Sequence, residues 1–217
     1  MAESRPMPRL FIVRHGETEW RHTGLSDIPL TERGKEQILA SAPQFVGDGL
    51  LLDPKNICTA LVSPRQRAHT TFHLLFQHIG TLPNHVLTEE VAEWNYGDYE
   101  GLKPAEIKAL NPGWKIWDDG CPGGESVQEM QDRVDAVIKK VREYHRQYKE
   151  EGANTRDVLI VAHGHFSRVL ISRWIQFPLC LGTHFNVEPG SLAILSYNHN
   201  SLAEPALNGL NIAAKLK

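Results

Sequence analysis

The sequence is poor in the features that mark most specialised proteins. It holds three cysteines in 217 residues, Cys58, Cys121 and Cys180. They are odd in number and form no C-x-x-C pair, which argues against a disulfide framework and against a thiolate zinc site. No apolar run approaches the roughly 18 residues needed to cross a bilayer, and no hydrophobic leader follows Met1, so no membrane contact is expected. There is no N-x-[ST] acceptor, and with the cysteine usage this points to a reducing, cytoplasmic setting. Positive charge is not in excess. A formal net charge of −3 excludes a globally basic nucleic-acid binder and leaves room for a local basic pocket. Eleven histidines invite a metal site, but H-E-x-x-H is absent and no His–carboxylate cluster has ligand spacing; neither metal nor cofactor is expected. Internal repeats, heptads and low-complexity linkers are missing as well.

What is present reads as one domain over residues 1–217, with a polar, proline-broken tail at 1–8 expected to be flexible. Leu10–Val13, Ala60–Val62 and Val158–Ala162 are short aliphatic runs of the kind buried on both faces of a sheet, and Ser191–Tyr197 is a further strand. Helices are expected over Glu32–Phe45, over Arg65–Phe76, and from His165 through Trp174. Another begins at Ser126, where Ser126-Val127-Gln128-Glu129 forms a capping box. Val127, Met130, Val134, Val137, Val141 and Tyr144 then make one apolar stripe, read as core packing. Strands alternating with helices predict an α/β fold with a mostly parallel sheet and helices on both faces. The C-terminal "LNGLNIAAKLK" reads either as a closing helix or as a loose end.

Twice a buried strand runs straight into His-Gly: Leu10–Val13 into Arg14-His15-Gly16, and Val158–Ala162 into His163-Gly164. Ligands of open α/β sheets sit beyond the carboxyl ends of the strands. If the two strands are neighbours, both imidazoles face one pocket, and each glycine lets backbone turn sharply and approach a ligand. Arg14 beside His15 is costly at that place unless an anion arrives. Ser63-Pro64-Arg65-Gln66-Arg67 adds two arginines at a helix start, where a phosphate is favoured.

Four segments, "RHGET", "SPRQRAHTT", "EWNYGDYEG" and "VAHGH", stand in the order seen in the histidine phosphatase superfamily, also called phosphoglycerate mutase-like, and the chain resembles that family from Arg9 to about Tyr197. "EWNYGDYEG", "WKIWDDGCPGGES" and "HFNVEPGSLAILSYNH" bring it nearest to the fungal sedoheptulose-1,7-bisphosphatases. The resemblance implies a three-layer αβα sandwich and a phosphohistidine intermediate without metal. His15 matches the nucleophile, with the other ring nitrogen held by a backbone acceptor. Arg14, Arg67 and His163 match the phosphoryl-binding groups, His163 as a cation whose partner is the phosphate. Glu93 matches the general acid, which calls for a raised pKa. Gly164, Thr23 and Gly24 match substrate positions. Tyr96, Arg65, Lys103 and Lys115 are candidates for a distal phosphate or sugar hydroxyls, and His165 reads as structural or supporting.

The likeness falters after Trp20, where Trp20-Arg21-His22-Thr23-Gly24 skips a loop usual in the family; the loop is either short or a mobile lid. The expected function is hydrolysis of a sugar phosphate in the sedoheptulose-1,7-bisphosphatase manner, on a small-molecule substrate and with a homodimer possible. A phosphoglycerate mutase is the alternative, since it shares the fold; the chain lacks the mutase "HYG" and "GLNK" segments and has instead Trp94-Asn95-Tyr96-Gly97 and a short, tryptophan-rich stretch from Pro104 to Ser126. A non-catalytic binding protein on the same scaffold is the third reading, disfavoured because no nucleophile or arginine is lost.

Overall fold

The computed structural model describes residues 5–19 and 23–213. The expectation about the loop after Trp20 falls on residues 20–22 and lies outside the described residues. Among the described residues six strands form one sheet: β1 (Leu10–Arg14), β2 (Ile57–Val62), β3 (His85–Leu87), β4 (Asp157–Ala162), β5 (Leu192–Tyr197) and β6 (Pro205–Ile212). Their order is β3-β2-β4-β1-β5-β6. β3, β2, β4 and β1 pair in parallel, whereas β5 and β6 are antiparallel.

Alternation along the central strands explains the layers. Leu10 and Ile12 of β1, with Val158 and Ile160 of β4, belong to one core cluster. Phe11 and Val13, with Leu159 and Val161, belong to the other. A strand apolar on both faces must be covered twice. The long helix α5 (Val127–Glu150) and α6 (Gly164–Trp174) cover the first face through Met130, Val134, Val137 and Phe166. α1 (Glu32–Phe45) and α2 (Gln66–Phe76) cover the second through Ile38, Ala42, Phe72 and Phe76. The result is the three-layer αβα arrangement.

The capping box at Ser126 is formed, the Ser126 side chain accepting from Glu129 N–H while the Glu129 carboxylate receives Ser126 N–H. Two short helices, α3 (Pro104–Leu110) and α4 (Ile116–Asp119), fill the tryptophan-rich stretch, which carries no helical stripe long enough to read. The C-terminal segment is neither helix nor loose end as far as Ile212. It is β6, because pairing with β5 supplies hydrogen bonds that a helix broken by Gly209 and two asparagines would not. The described part of the N-terminal tail is tied down: Arg5 stacks on the Tyr148 ring at 4.0 Å and donates to the Tyr148 and Ala153 carbonyls, and Ser196 Oγ donates to Pro8 O at 2.8 Å. Among the described residues, no helix is long and apolar enough to cross a membrane.

Candidate active site

β1 and β4 are direct neighbours in parallel register, Arg14 opposite Ala162, so the two His-Gly junctions leave the sheet side by side. His15 N–H donates to Ala162 O at 2.9 Å, which extends the ladder by one bond and locks the first histidine to the second strand's end. The ring centroids of His15 and His163 are 5.1 Å apart, in an edge-to-face arrangement. A cavity of 780 Å³ opens over them, lined by Arg14, His15, Glu93, Tyr96, Gly164 and Arg168 among others. His163 and Arg67 are fully buried immediately behind that lining.

His15 is held in a defined state. Its Nδ1 lies 2.7 Å from Gly16 O, and a carbonyl only accepts, so Nδ1 carries the proton and Nε2 keeps its lone pair. Burial, then the charges of Arg14 and Arg67, lower its pKa to about 3, which leaves the imidazole neutral over the working pH range. Gly16 N–H in turn donates to Thr71 Oγ1 of α2 at 3.1 Å.

The arginines are fixed by backbone carbonyls, not by carboxylates. Arg14 donates to Val187 O at 2.5 Å. Arg67 donates to Ser26 O at 2.6 Å and to Thr23 O and Gly24 O at 2.8 Å each. Neutral acceptors orient a guanidinium without cancelling its charge, and Arg14 Nε, Arg67 Nε and His163 Nδ1 are buried with no hydrogen-bond partner among the described residues. Gly164 leaves room for the first guanidinium: a Cβ there would stand 3.3 Å from Arg14 Cζ, so any side chain would press on that group. The Val187 loop is itself tied from the far edge of the sheet. Asn211 of β6 accepts from Glu188 N–H at 2.9 Å and from Ser191 Oγ at 3.1 Å, and donates to Asn186 O at 2.9 Å. Asn211 sits in the left-handed region at φ 54.

Two expectations about charge are corrected. His163 is not a cation here. Burial, then His15, Arg67 and Arg14, drive its pKa well below the ordinary value, and its Nε2 lies 2.7 Å from Ser63 Oγ. Ser63 Oγ accepts from Arg65 N–H at 3.4 Å, so its own hydroxyl hydrogen is left for Nε2. The ring proton then sits on Nδ1, which has no partner among the described residues, and His163 offers a neutral N–H. Glu93 does not have a raised pKa either. Burial pushes it up, but His165 and backbone N–H bonds from Phe166, Trp94 and His165 outweigh that and leave it below the usual value. The carboxylate accepts from His165 N–H at 3.0 Å and from Phe166 N–H at 2.9 Å, in the first turn of α6. The pull of a helix N-terminus on an anion was not legible from the Glu93 segment alone.

The remaining candidates divide. Thr23 and Tyr96 line the cavity; Gly24 does not, and instead packs so closely that a Cβ there would meet Trp94 O at 2.5 Å. Arg65 is turned to Glu89, at 3.0 Å. Lys103 and Lys115 are exposed cap residues of α3 and α4, away from the cavity, because the chain places them at helix starts facing solvent. Sequence reasoning missed Arg168 and Ser63 and undervalued His165. Arg168 is one helical turn past Gly164 on α6; its guanidinium is braced by Gly182 O at 3.1 Å and Thr183 O at 2.7 Å. His165 lines the cavity with Nδ1 2.6 Å from Tyr96 Oη. Position i, i+4 from a strand-end glycine was the available signal for Arg168.

A mostly parallel sheet ending in an oriented neutral imidazole, against buried guanidinium groups whose Nε atoms have no partner among the described residues, defines an α/β protein built around a small oxyanion site. The model of the histidine phosphatase superfamily (branch 1) matches residues 10–209, and the chain belongs to that superfamily. An acid phosphatase of Mycobacterium tuberculosis is 41% identical over 195 residues, covering 88% of this chain and 87% of that protein. A sedoheptulose 1,7-bisphosphatase of Saccharomyces cerevisiae is 31% identical over 248 residues, covering 92% and 91%. 2,3-Bisphosphoglycerate-dependent phosphoglycerate mutases are also among the relatives. The solved structure of the product of open reading frame Rv3214 of Mycobacterium tuberculosis superposes with a TM-score of 0.78 at 36% identity, covering 95% of this chain and 98% of that one. This protein is a phosphatase, and so a hydrolase.

Proposed function

We propose that the chain hydrolyses a sugar phosphomonoester, without a metal, through a phosphohistidine on His15. The observation that carries this reading is the fixed tautomer of His15: Nδ1 is committed to Gly16 O, so Nε2 is left as the nucleophilic atom, beside three buried donors without partners among the described residues. Nε2 attacks phosphorus, the ester P–O bond breaks, and the departing alkoxide takes a proton from Glu93. Arg14, Arg67 and the His163 N–H stabilise the charge on the transferring oxygens, which they do best when already fixed. Water then attacks the phosphohistidine, Glu93 takes its proton, the P–N bond breaks, and phosphate leaves with His15 neutral again.

Glu93 starts as a carboxylate because three backbone N–H groups hold it. A bound phosphate monoester adds negative charge beside it and raises its proton affinity, so substrate and proton bind together. The S. cerevisiae relative supports a sugar as the alcohol. The cations foreseen for a second phosphate point elsewhere: Arg65 to Glu89, Lys103 and Lys115 to solvent. The reading is therefore a sugar phosphomonoester, and the placement of these cations speaks against the sedoheptulose-1,7-bisphosphatase manner as its finer form.

The test is phosphate release from sedoheptulose-1,7-bisphosphate, fructose-1,6-bisphosphate, fructose-2,6-bisphosphate and 3-phosphoglycerate in EDTA, with quenched samples probed for an alkali-stable, acid-labile phosphate on His15. Release in EDTA with label on His15 is expected. Release only on adding a divalent metal removes the mechanism; interconversion of phosphoglycerates without release makes the protein a mutase.

A further inference from the structure

Beside the phosphate site lies a second cavity, of 330 Å³, on the side of α3 and α4. It shares two walls with the first, Tyr96 and His165, which line both. The rest of its inner surface is Tyr99, Ile107, Trp114 and Ile116. Resting on the phosphomonoesterase reading above, we propose that this cavity is the subsite for the substrate's alcohol, and that it selects a monoester whose alcohol bears an uncharged group with a flat apolar face.

Three of the polar side chains on its walls are engaged, Trp114 by backbone and Tyr96 and His165 by each other. Trp114 Nε1–H donates to Gly120 O at 2.7 Å, and Tyr96 Oη meets His165 Nδ1 at 2.6 Å. What remains turned inward is ring and aliphatic surface: Tyr99 and Trp114 meet edge to face with centroids 4.8 Å apart, and Ile107 and Ile116 are buried. The polar lining residues Lys108 and Asn111 are both exposed and so sit at the rim. An apolar interior with polar groups at its edge suits the face of a ring, and the volume is at the small end of ligand sites, about 300–1,000 Å³. Charge at the first cavity's lining points the same way. Glu17, Glu19 and Glu188 line it together with Arg14 and Arg168, so a second phosphate lying toward those carboxylates meets like charge. One phosphate at His15 and a neutral body beyond Tyr96 and His165 satisfies both cavities at once. The outer wall is lightly held, since Ile107 is the single buried residue among the seven of α3. That wall can yield to alcohols of different length.

Ethyl phosphate and 2-phenylethyl phosphate test this, because both expel a primary alkoxide and differ in the ring alone. The expected result is a kcat/KM about tenfold or more higher for the phenylethyl ester, as burial of a ring's apolar surface allows. Asn111→Trp, a change at an exposed rim position, is expected to fill the mouth of the cavity and bring the ratio of the two esters down toward one. Equal kcat/KM for both esters in the native protein overturns the subsite. So does a loss in Asn111→Trp that falls on both esters alike. Propane-1,3-diol bisphosphate turned over better than the phenylethyl ester also overturns it, since the cavity, through Lys108, would then be taking charge. Labelling of His15 separates this from the parent reading: turnover of neither ester with no label removes the phosphatase mechanism and the subsite with it, whereas equal turnover with label removes the subsite alone.

Discussion

The two His-Gly junctions look alike in the sequence and differ in how the fold uses them. At the end of β1, His15 binds its own chain, Nδ1 to Gly16 O, and turns Nε2 to the cavity. At the end of β4, His163 is the N-cap residue of α6, is fully buried, and has Nε2 against Ser63 and Nδ1 without a partner among the described residues. One imidazole presents a lone pair and the other an N–H. Identical local sequence thus yields opposite chemistry, because the hydrogen-bond partner of one ring nitrogen decides what the other can do.

The sharpest way to break that comparison is to remove each ring in turn. His15→Ala is expected to lower kcat/KM by at least about 10⁴ and abolish the labelled enzyme, since no other group takes the phosphoryl. A His15→Ala protein that still carries label would reverse the two assignments. Glu93→Gln keeps the shape and one acceptor oxygen for the amides but loses the proton carrier, so kcat is expected to drop about 10²- to 10³-fold while phosphoenzyme accumulates in a quenched time course. His163→Ala is expected to cost about 10²-fold, the loss of one charge-stabilising donor, with label still forming on His15. Ser63→Ala is smaller, less than about tenfold, because it frees the His163 tautomer without removing the ring; a loss as large as that of His163→Ala would make Ser63 part of the chemistry.

Acid sharpens the comparison further. With its pKa lowered to about 3, His15 stays neutral far below the ordinary 6.5, so the pH profile of kcat/KM is expected to show no acid limb near 6.5 from the nucleophile. Stability behaves otherwise. His15 and His145 each have a folded pKa of about 3 against 6.5 for the exposed group, so the unfolded chain binds more protons between those values. Their contribution is complete above pH 6.5 and shrinks as pH falls through that window. Chemical denaturation at pH 7.5 and pH 5 should show the loss; equal midpoints would mean these rings charge in the folded state.

Much of this was legible early. Leu10–Val13 and Val158–Ala162 announce strands because they are apolar on both faces, and Ser126 and Glu129 announce a helix because a capping box is local chemistry. The meeting of His15 and His163 was foreseen only on the condition that those strands are neighbours, and the sheet order met it. The states of the groups were not legible. Glu93 is held down by amides of α6, over seventy residues away in the chain, and the neutral His163 depends on burial and on Ser63. Lys103 and Lys115 looked like phosphate ligands because lysine composition carries no direction. β6 was missed since its strand character comes from β5 and not from its own residues.

The Asn211 clasp has a consequence for the order in which the protein comes into being. Arg14 and Asn211 stand near opposite ends of the described residues, yet the carbonyl that aims the one belongs to a loop fastened by the other. A nascent chain can therefore fold most of its sheet and still present a misdirected guanidinium. The grip on an anion therefore waits until β6 has paired with β5 and Asn211 has closed on the loop.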